Sequence, residues 1–370
     1  MLALSVCAGC GDNEGDDDLV GDAGGGETND TEVGATEANA FAVATDFVSG
    51  MGVASTIALP ELELTTNVLA GVVSNDPTLA YQDRTIYIVN RFGSDNIVIL
   101  NVVSGRELQF EGQISTGAGS NPQGVVAVGS KLYVPALGTA GVVVIDTNSP
   151  DELGLIDLSE LDENDGLPEC NTAYLDGTTL YVACGVLDAF TPVGPGKIAV
   201  IDTTTDTLIE AFDMATPNPF GGLVATPDGD LLLGTVDFGA GLTSGCIERI
   251  TLGESPSSAG CLIENKQLGG YAGSYKMGSD GSLYLTVTTG FTEDDPAPVL
   301  RYDLTEGVLD TTPLNNAGQQ ISSLTQCPTG EWIVTDRSGA SGLRVYSAEW
   351  QELTSEQLNI VMPPAGTICY

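Results

Sequence analysis

The side chains able to do chemistry here are carboxylates, a few arginines and eight cysteines; the chain has no histidine. Without imidazole there is no Ser-His-Asp or Cys-His pair, no histidine metal ligand and no histidine proton shuttle. Catalysis would have to run on carboxylates, Lys, Tyr, Cys or a bound ion. Asp46, Asp237 and Asp336 each lie close to the end of a short apolar run. Their convergence around Ca²⁺, with an Asn, would make a metal-dependent hydrolase or lactonase. Asp294-Asp295 and the run Asp162-Glu163-Asn164-Asp165-Gly166 also carry hard oxygen ligands suited to Ca²⁺, but neither has the D-x-[DN]-x-[DN]-G spacing of a calcium loop. No cofactor is required by this reading, and calcium is the ion these residues would suit. Arg91 and Arg337 end two apolar runs on either side of the one that ends at Asp46. The three form either a charged cluster or ordinary salt bridges between neighbouring elements. No P-loop, dinucleotide fingerprint, haem motif or G-x-S-x-G elbow is present.

Charge narrows the partners. There are 51 acidic residues against 11 basic. Ten of the acids fall in residues 11–40, which contain no Lys or Arg, so the rest of the chain still carries a net charge of −30. Such a surface repels phosphate backbones and anionic headgroups, which argues against nucleic acid and against polybasic membrane docking. It suits solubility, cations and basic partners. Beyond the first few positions no apolar run is long enough to span a bilayer.

The N-terminal stretch MLALSVCAG is apolar and ends in small residues before Cys10, although it lacks the basic start of a signal peptide. Ala8-Gly9-Cys10 resembles the bacterial lipoprotein box, which implies a lipid on Cys10; Cys7, where an aliphatic is usual, departs from it. Residues 11–40 are rich in Gly, Asp, Glu and Thr and cannot bury enough apolar surface to offset their ordering entropy, so they are expected to be a flexible tether. The expected organisation is an export and lipidation segment over 1–10, a linker over 11–40 and one folded body over 41–370.

The elements that would position the candidate residues repeat. A second-strand motif appears as IYIV at Ile86, LYVP at Leu132, LYVA at Leu180, LLLG at Leu231, LYLT at Leu283 and WIVT at Trp332, at spacings of 46, 48, 51, 52 and 49 residues. Tight turns precede them, among them Asp176-Gly177, Asp228-Gly229 and Asp280-Gly281, where glycine supplies positive φ. Third strands read NIVILN, GVVVID, KIAVID and VLRYDL. A helix-free unit of about 50 residues matches a propeller blade better than a solenoid or a sandwich. Six blades lie between residue 75 and about 361. Residues 41–66 supply three strands with no first strand, and PPAGTICY at the C-terminus supplies a first strand with nothing after it. Joining them makes a seventh blade that closes the ring and removes the sheet edges.

Residues 196–212 (GKIAVIDTTTDTLIEAF) and 131–149 (KLYVPALGTAGVVVIDTNS) resemble YVTN-type propeller repeats, a family of secreted and surface proteins. The resemblance implies an all-β, seven-bladed propeller, and is specific for fold rather than activity. Long loops follow the second strands and join the blades, all on one rim: residues 159–169, 184–196, 236–245 and 289–298. Recognition concentrates on such loops. Phe190, Phe238 and Phe291 are candidate ligand contacts there; packing on their own blades is the plainer alternative. The function expected is a monomeric, non-catalytic binding or scaffolding module for a surface protein or polysaccharide, lipid-anchored at a bacterial outer membrane or cell surface. The carboxylate hydrolase is the alternative.

Six cysteines remain, and the blade pattern pairs them. Cys170 and Cys184 are each seven residues from Gly177, so an unbulged hairpin sets them face to face. Cys246 and Cys261 bracket a third-to-fourth strand hairpin, and Cys327 and Cys369 end neighbouring inner strands. Oxidised pairs imply an extracytoplasmic home.

Overall fold

The computed structural model describes residues 37–292, 295–339 and 341–370. Cys10, the export segment, nearly all of the linker and Asp294 lie outside the described residues. The chain forms seven blades around a ring. Blade 1 holds Pro77–Gln82, Thr85–Asn90, Asn96–Ser104 and Glu107–Ser115; blade 2 holds Val126–Val128, Lys131–Pro135, Gly141–Asp146 and Leu153–Asp157. Blade 3 holds Cys170–Asp176, Thr179–Cys184, Lys197–Asp202 and Thr207–Asp213. Blade 4 runs from Val224–Ala225 through Leu231–Gly234 and Cys246–Thr251 to Ser257–Glu264, and blade 5 from Tyr271–Met277 through Leu283–Thr288 and Val299–Asp303 to Val308–Asp310. Blade 6 has three strands, Ile321–Gln326, Trp332–Asp336 and Gly342–Tyr346; isolated bridges from Tyr346 to Glu352 and Leu343 to Leu358 stand in for its fourth.

Blade 7 is built from both ends of the chain. The C-terminal strand Pro364–Cys369 pairs antiparallel with Ala38–Asp46, which pairs with Met51–Leu59 and through it Glu63–Thr66. The strand Ala38–Asp46 begins three residues ahead of the expected Phe41. Ala38 and Ala40 are buried, and Asn39 exchanges both backbone bonds with Tyr370. Alanine is too small and too common in flexible segments to mark a strand start by composition.

Strand alternation explains why the second strands read as almost continuous apolar runs. Successive side chains point to opposite faces, and in a propeller both faces meet another blade. Leu180 and Val182 enter the cluster shared by blades 2 and 3, while Tyr181 and Ala183 enter the one shared by blades 3 and 4. Seven such clusters fill the seven interfaces, the one between blades 7 and 1 included. Outer strands such as Thr207–Asp213 are exposed, so little of their sequence is constrained by packing. Gly177 and Gly229 adopt φ of 57° and 89°, as tight turns at these points require. Among the described residues no helix is long and apolar enough to cross a membrane.

The three disulfides are Cys170–Cys184, Cys246–Cys261 and Cys327–Cys369. The first forms by a different route from the one expected. Asp176 faces Thr179 across the turn, a register that would set Cys184 opposite Asn171; a β-bulge at that point brings Cys170 opposite instead. Inner strands of blades 5, 6 and 7 carry comparable bulges. Bulges arise where a strand must bend, and the hairpin sequence alone does not announce them.

Candidate functional site

Because neighbouring strands alternate in direction, the loops after the second strands all emerge on one rim, beside the connections between blades. Five of them present a phenylalanine: Phe47 on blade 7, Phe92 on blade 1, Phe190 on blade 3, Phe238 on blade 4 and Phe291 on blade 5. Phe190 is 80% exposed and Phe291 75% exposed, so neither is packed down on its own blade. Phe190 owes its position to a small hairpin, Leu187–Asp188 with Thr191–Pro192, whose tip residues Ala189 and Phe190 are both left-handed. Phe238 is half anchored, lying edge-on to Phe220 and Tyr271 at 5.6 and 5.5 Å, with Phe291 6.5 Å away. Phe47 and Phe92 stack at 6.1 Å across the boundary of blades 7 and 1.

The charged residues are held by local bonds. Asp46 accepts a bond from the Val48 backbone N–H at 3.0 Å, and its pKa is lowered first by Ser49 and then by Val48. Asp237 accepts from the N–H groups of Gly239 and Ala240. Asp336 is fully buried and receives Arg344 at 2.7 Å, Gln357 at 2.8 Å and the backbone N–H groups of Gln320 and Ser338. Asp295 accepts from the backbone and hydroxyl of Thr292. Each carboxylate is thus bonded within its own turn or blade, and among the described residues these aspartates belong to no group of three acids with oxygens within 4.8 Å of one another. Nor does Arg91 meet Asp46. It is paired with Asp76 at 2.6 Å and bonded to Gln123 at 2.9 Å. Arg337 stands at the starts of inner strands, 3.4 Å from the Pro364 carbonyl oxygen, in no ion pair with a described residue. It is exposed, yet surrounding blades partly desolvate the guanidinium and lower its pKa, against the opposing influence of Tyr271.

A cleft of about 330 Å³ opens on the same rim above blade 2, between Phe92 and Phe190, with Leu137 and Leu187 adding apolar wall and Asp95, Asn121 and Glu169 adding oxygens. It exists because the blade 2 loop is short and lies flat. A side chain at Gly138 would collide with the Gly119 carbonyl, so only glycine permits that close approach. Asp95 shapes the floor by accepting the N–H groups of Gly119 at 2.7 Å and Asn121 at 2.9 Å, and Asn121 in turn accepts the Phe92 N–H. Glu169 accepts the Leu187 N–H at 2.7 Å, and its pKa is pushed up to about 7, chiefly by burial, with the charges of Asp165 and Asp162 adding to it.

Sequence reasoning located Phe190, Phe238 and Phe291 on this rim but missed Phe47, Phe92, Asp95, Asn121 and Glu169. A signal for the first was available: Asp46-Phe47 and Asp237-Phe238 repeat one dipeptide after two second strands. Nothing in the local sequence distinguishes Asp95 or Glu169 from the many other acids.

Fold and rim together define the class, a seven-bladed β-propeller of antiparallel blades with an aromatic loop face. The chain is similar to a putative 6-phosphogluconolactonase from Bacteroides fragilis, with a TM-score of 0.61 and 15% identity over 92% of this chain and 99% of that one. It is similar to apo AztD from Citrobacter koseri, with a TM-score of 0.56 and 13% identity over 90% and 98% of the two chains. PorZ of Porphyromonas gingivalis, an essential bacterial surface component of the type-IX secretion system, gives a TM-score of 0.52 and 13% identity over 83% of this chain and 45% of that one. At these identities the likeness is one of fold. No protein-family model and no curated protein matches the chain.

Proposed function

We propose that this chain is an exported propeller of the YVTN-repeat type, held at a bacterial outer membrane or cell surface by a lipid on Cys10. Its looped face serves as a non-catalytic docking surface for a protein or polysaccharide. The observation that carries this reading is the set of exposed phenylalanines on the post-second-strand loops, Phe47, Phe92, Phe190 and Phe291. Phenyl rings held in water on a rigid scaffold are costly unless something covers them, and contiguous exposed apolar surface marks interaction sites. Aromatic anchors rimmed by polar groups are also what binding hot spots are made of. The net charge favours a partner that brings apolar and basic groups, which suits a protein surface better than a neutral glycan. Three disulfides support an oxidising, extracytoplasmic setting, and a surface propeller such as PorZ supports it by analogy of fold.

The test compares two variants of the full chain. One replaces Phe47, Phe92, Phe190 and Phe291 with Ser; the other replaces Phe110 and Ile209, exposed apolar residues of outer strands, with Ser. Crosslinking to native cell envelopes, alongside a glycan array, reads both partner classes. The looped-face variant should lose about tenfold or more of its captured partner, as expected when aromatic anchors are removed, while the outer-strand variant keeps it. Equal capture by both variants would remove the looped face from consideration.

A further inference from the structure

The connection between blades 2 and 3 gathers three carboxyl groups that form no ion pair with a described residue. One oxygen from each of Asp162, Asp165 and Glu169 lies within 4.8 Å of the other two, the one group of this kind among the described residues. Asp162 is 3% exposed, and its Oδ1 accepts the Asn164 N–H at 2.8 Å. Its Oδ2 is buried and receives no hydrogen bond from any described residue. A buried carboxylate oxygen without a donor, beside two further acids, is an expensive arrangement unless a cation completes it. No Lys or Arg among the described residues does so. The cleft beside Asp162 contains Lys197, but its ammonium is taken by Asp213 at 2.5 Å.

The three ligands are also held in place. Asp165 Oδ1 accepts the Leu167 N–H at 2.8 Å, and one Glu169 oxygen accepts the Leu187 N–H, so each carboxylate keeps an oxygen to offer. Glu169 directly precedes Cys170, whose disulfide to Cys184 fixes the hairpin against which the loop lies; the Gly185 and Val186 N–H groups bond back to the Glu169 and Pro168 carbonyls. The set offers only carboxyl oxygens, which suits a hard cation. Mg²⁺ demands near-ideal octahedral geometry and gives up its water reluctantly, so three protein carboxyl groups on one loop suit the more tolerant Ca²⁺ better.

We propose that Asp162, Asp165 and Glu169 bind one Ca²⁺, which fastens the connection between blades 2 and 3 to the Cys170–Cys184 hairpin. This inference rests on the acid group and not on the docking role of the looped face, although Glu169 lines the cleft between Phe92 and Phe190 as well. It is tested by calorimetric titration of CaCl₂ into the full chain after chelator treatment and buffer exchange. Asp162→Asn, Asp165→Asn and Glu169→Gln keep the oxygen that accepts each backbone N–H, so they should preserve the loop, as checked by circular dichroism. Asp151→Asn with Glu152→Gln is the control pair of exposed acids. The expected result is one saturable site per chain, weakened about tenfold or more by each of the three ligand variants and unchanged in the control. MgCl₂ should bind more weakly than CaCl₂. Only diffuse, unsaturable binding, a saturable site that survives all three variants, or equal affinity for Mg²⁺ would overturn the assignment.

Discussion

Blades 3 and 6 occupy equivalent places in the ring and are held together differently. Blade 3 has four strands and a second strand, Thr179–Cys184, whose side chains pack alternately into two apolar clusters. Blade 6 lacks a regular fourth strand, and its second strand ends in Thr335 and Asp336, both fully buried. There the missing ladder is replaced by side chains. Arg344 bridges Asp336 at 2.7 Å and Glu352 at 2.5 Å, drawing the chain after Tyr346 back against the blade. Trp350 stacks on Trp332 at 5.2 Å, and Tyr346 donates to Gln319 at 2.6 Å. Apolar alternation tolerates the loss of one contact, because its stabilisation is spread over many atoms. A buried ion pair concentrates it in one group, and removing either partner strands the other.

The largest expected effect is therefore in blade 6. Asp336→Ala leaves Arg344 with Glu352 alone and removes the acceptor for Gln320, Ser338 and Gln357, and should destabilise by about 4 kcal/mol. Hydrogen exchange should speed up over residues 321–360 while residues 170–213 keep their protection; equal loosening of both blades would break the contrast. Removing the Cys170–Cys184 bridge by Ser substitution should cost about 3 kcal/mol, since it closes a short loop. Its denaturation midpoint should fall, yet native-state exchange in blade 3 should stay slow, because the strands there are packed on both faces. The smallest effect is a pH dependence. Burial alone would raise the Asp336 pKa, but the bonds from Arg344, Ser338 and Gln320 outweigh it and hold the value below the ordinary carboxylate range. A depressed pKa contributes stability above the unfolded value of about 4, and that stability is lost as pH falls through the folded value. Blade 6 should therefore loosen progressively below about pH 4, and Asp336→Asn should abolish that component, as exchange rates across an acid series would read.

The two blades also differ in how much of them could be read from sequence. The second strand, turn and third strand of blade 3 are written in local signals, namely alternating branched residues and an Asp-Gly turn. Blade 7 was legible because two incomplete fragments were complementary. The cysteine pairs followed from strand ends, although the bulge at Asn171 that aligns the first pair did not. Asp336 looked like a channel ligand because it ends a second strand as Asp46 does. Its actual partner, Arg344, lies on the next strand, and a pairing between side chains leaves no periodic trace. The run Asp162 to Gly166 stood out, but Glu169 joins it only because a left-handed backbone at Gly166 and at Glu169 itself turns the chain back. Loop conformation of this kind depends on the blades at either side, not on the loop's own composition.

The direction of one strand settles an orientation. Ala38–Asp46 starts beside Tyr370 and ends at the turn that carries Phe47, so it crosses the disc from one rim to the other. Both ends of the folded body therefore leave it from the side away from the phenylalanines. A pull applied at Ala38 would enter a strand paired on both edges, whereas one applied at Tyr370 would enter the innermost strand, which is paired on one edge and tied to blade 6 by the Cys327–Cys369 bridge.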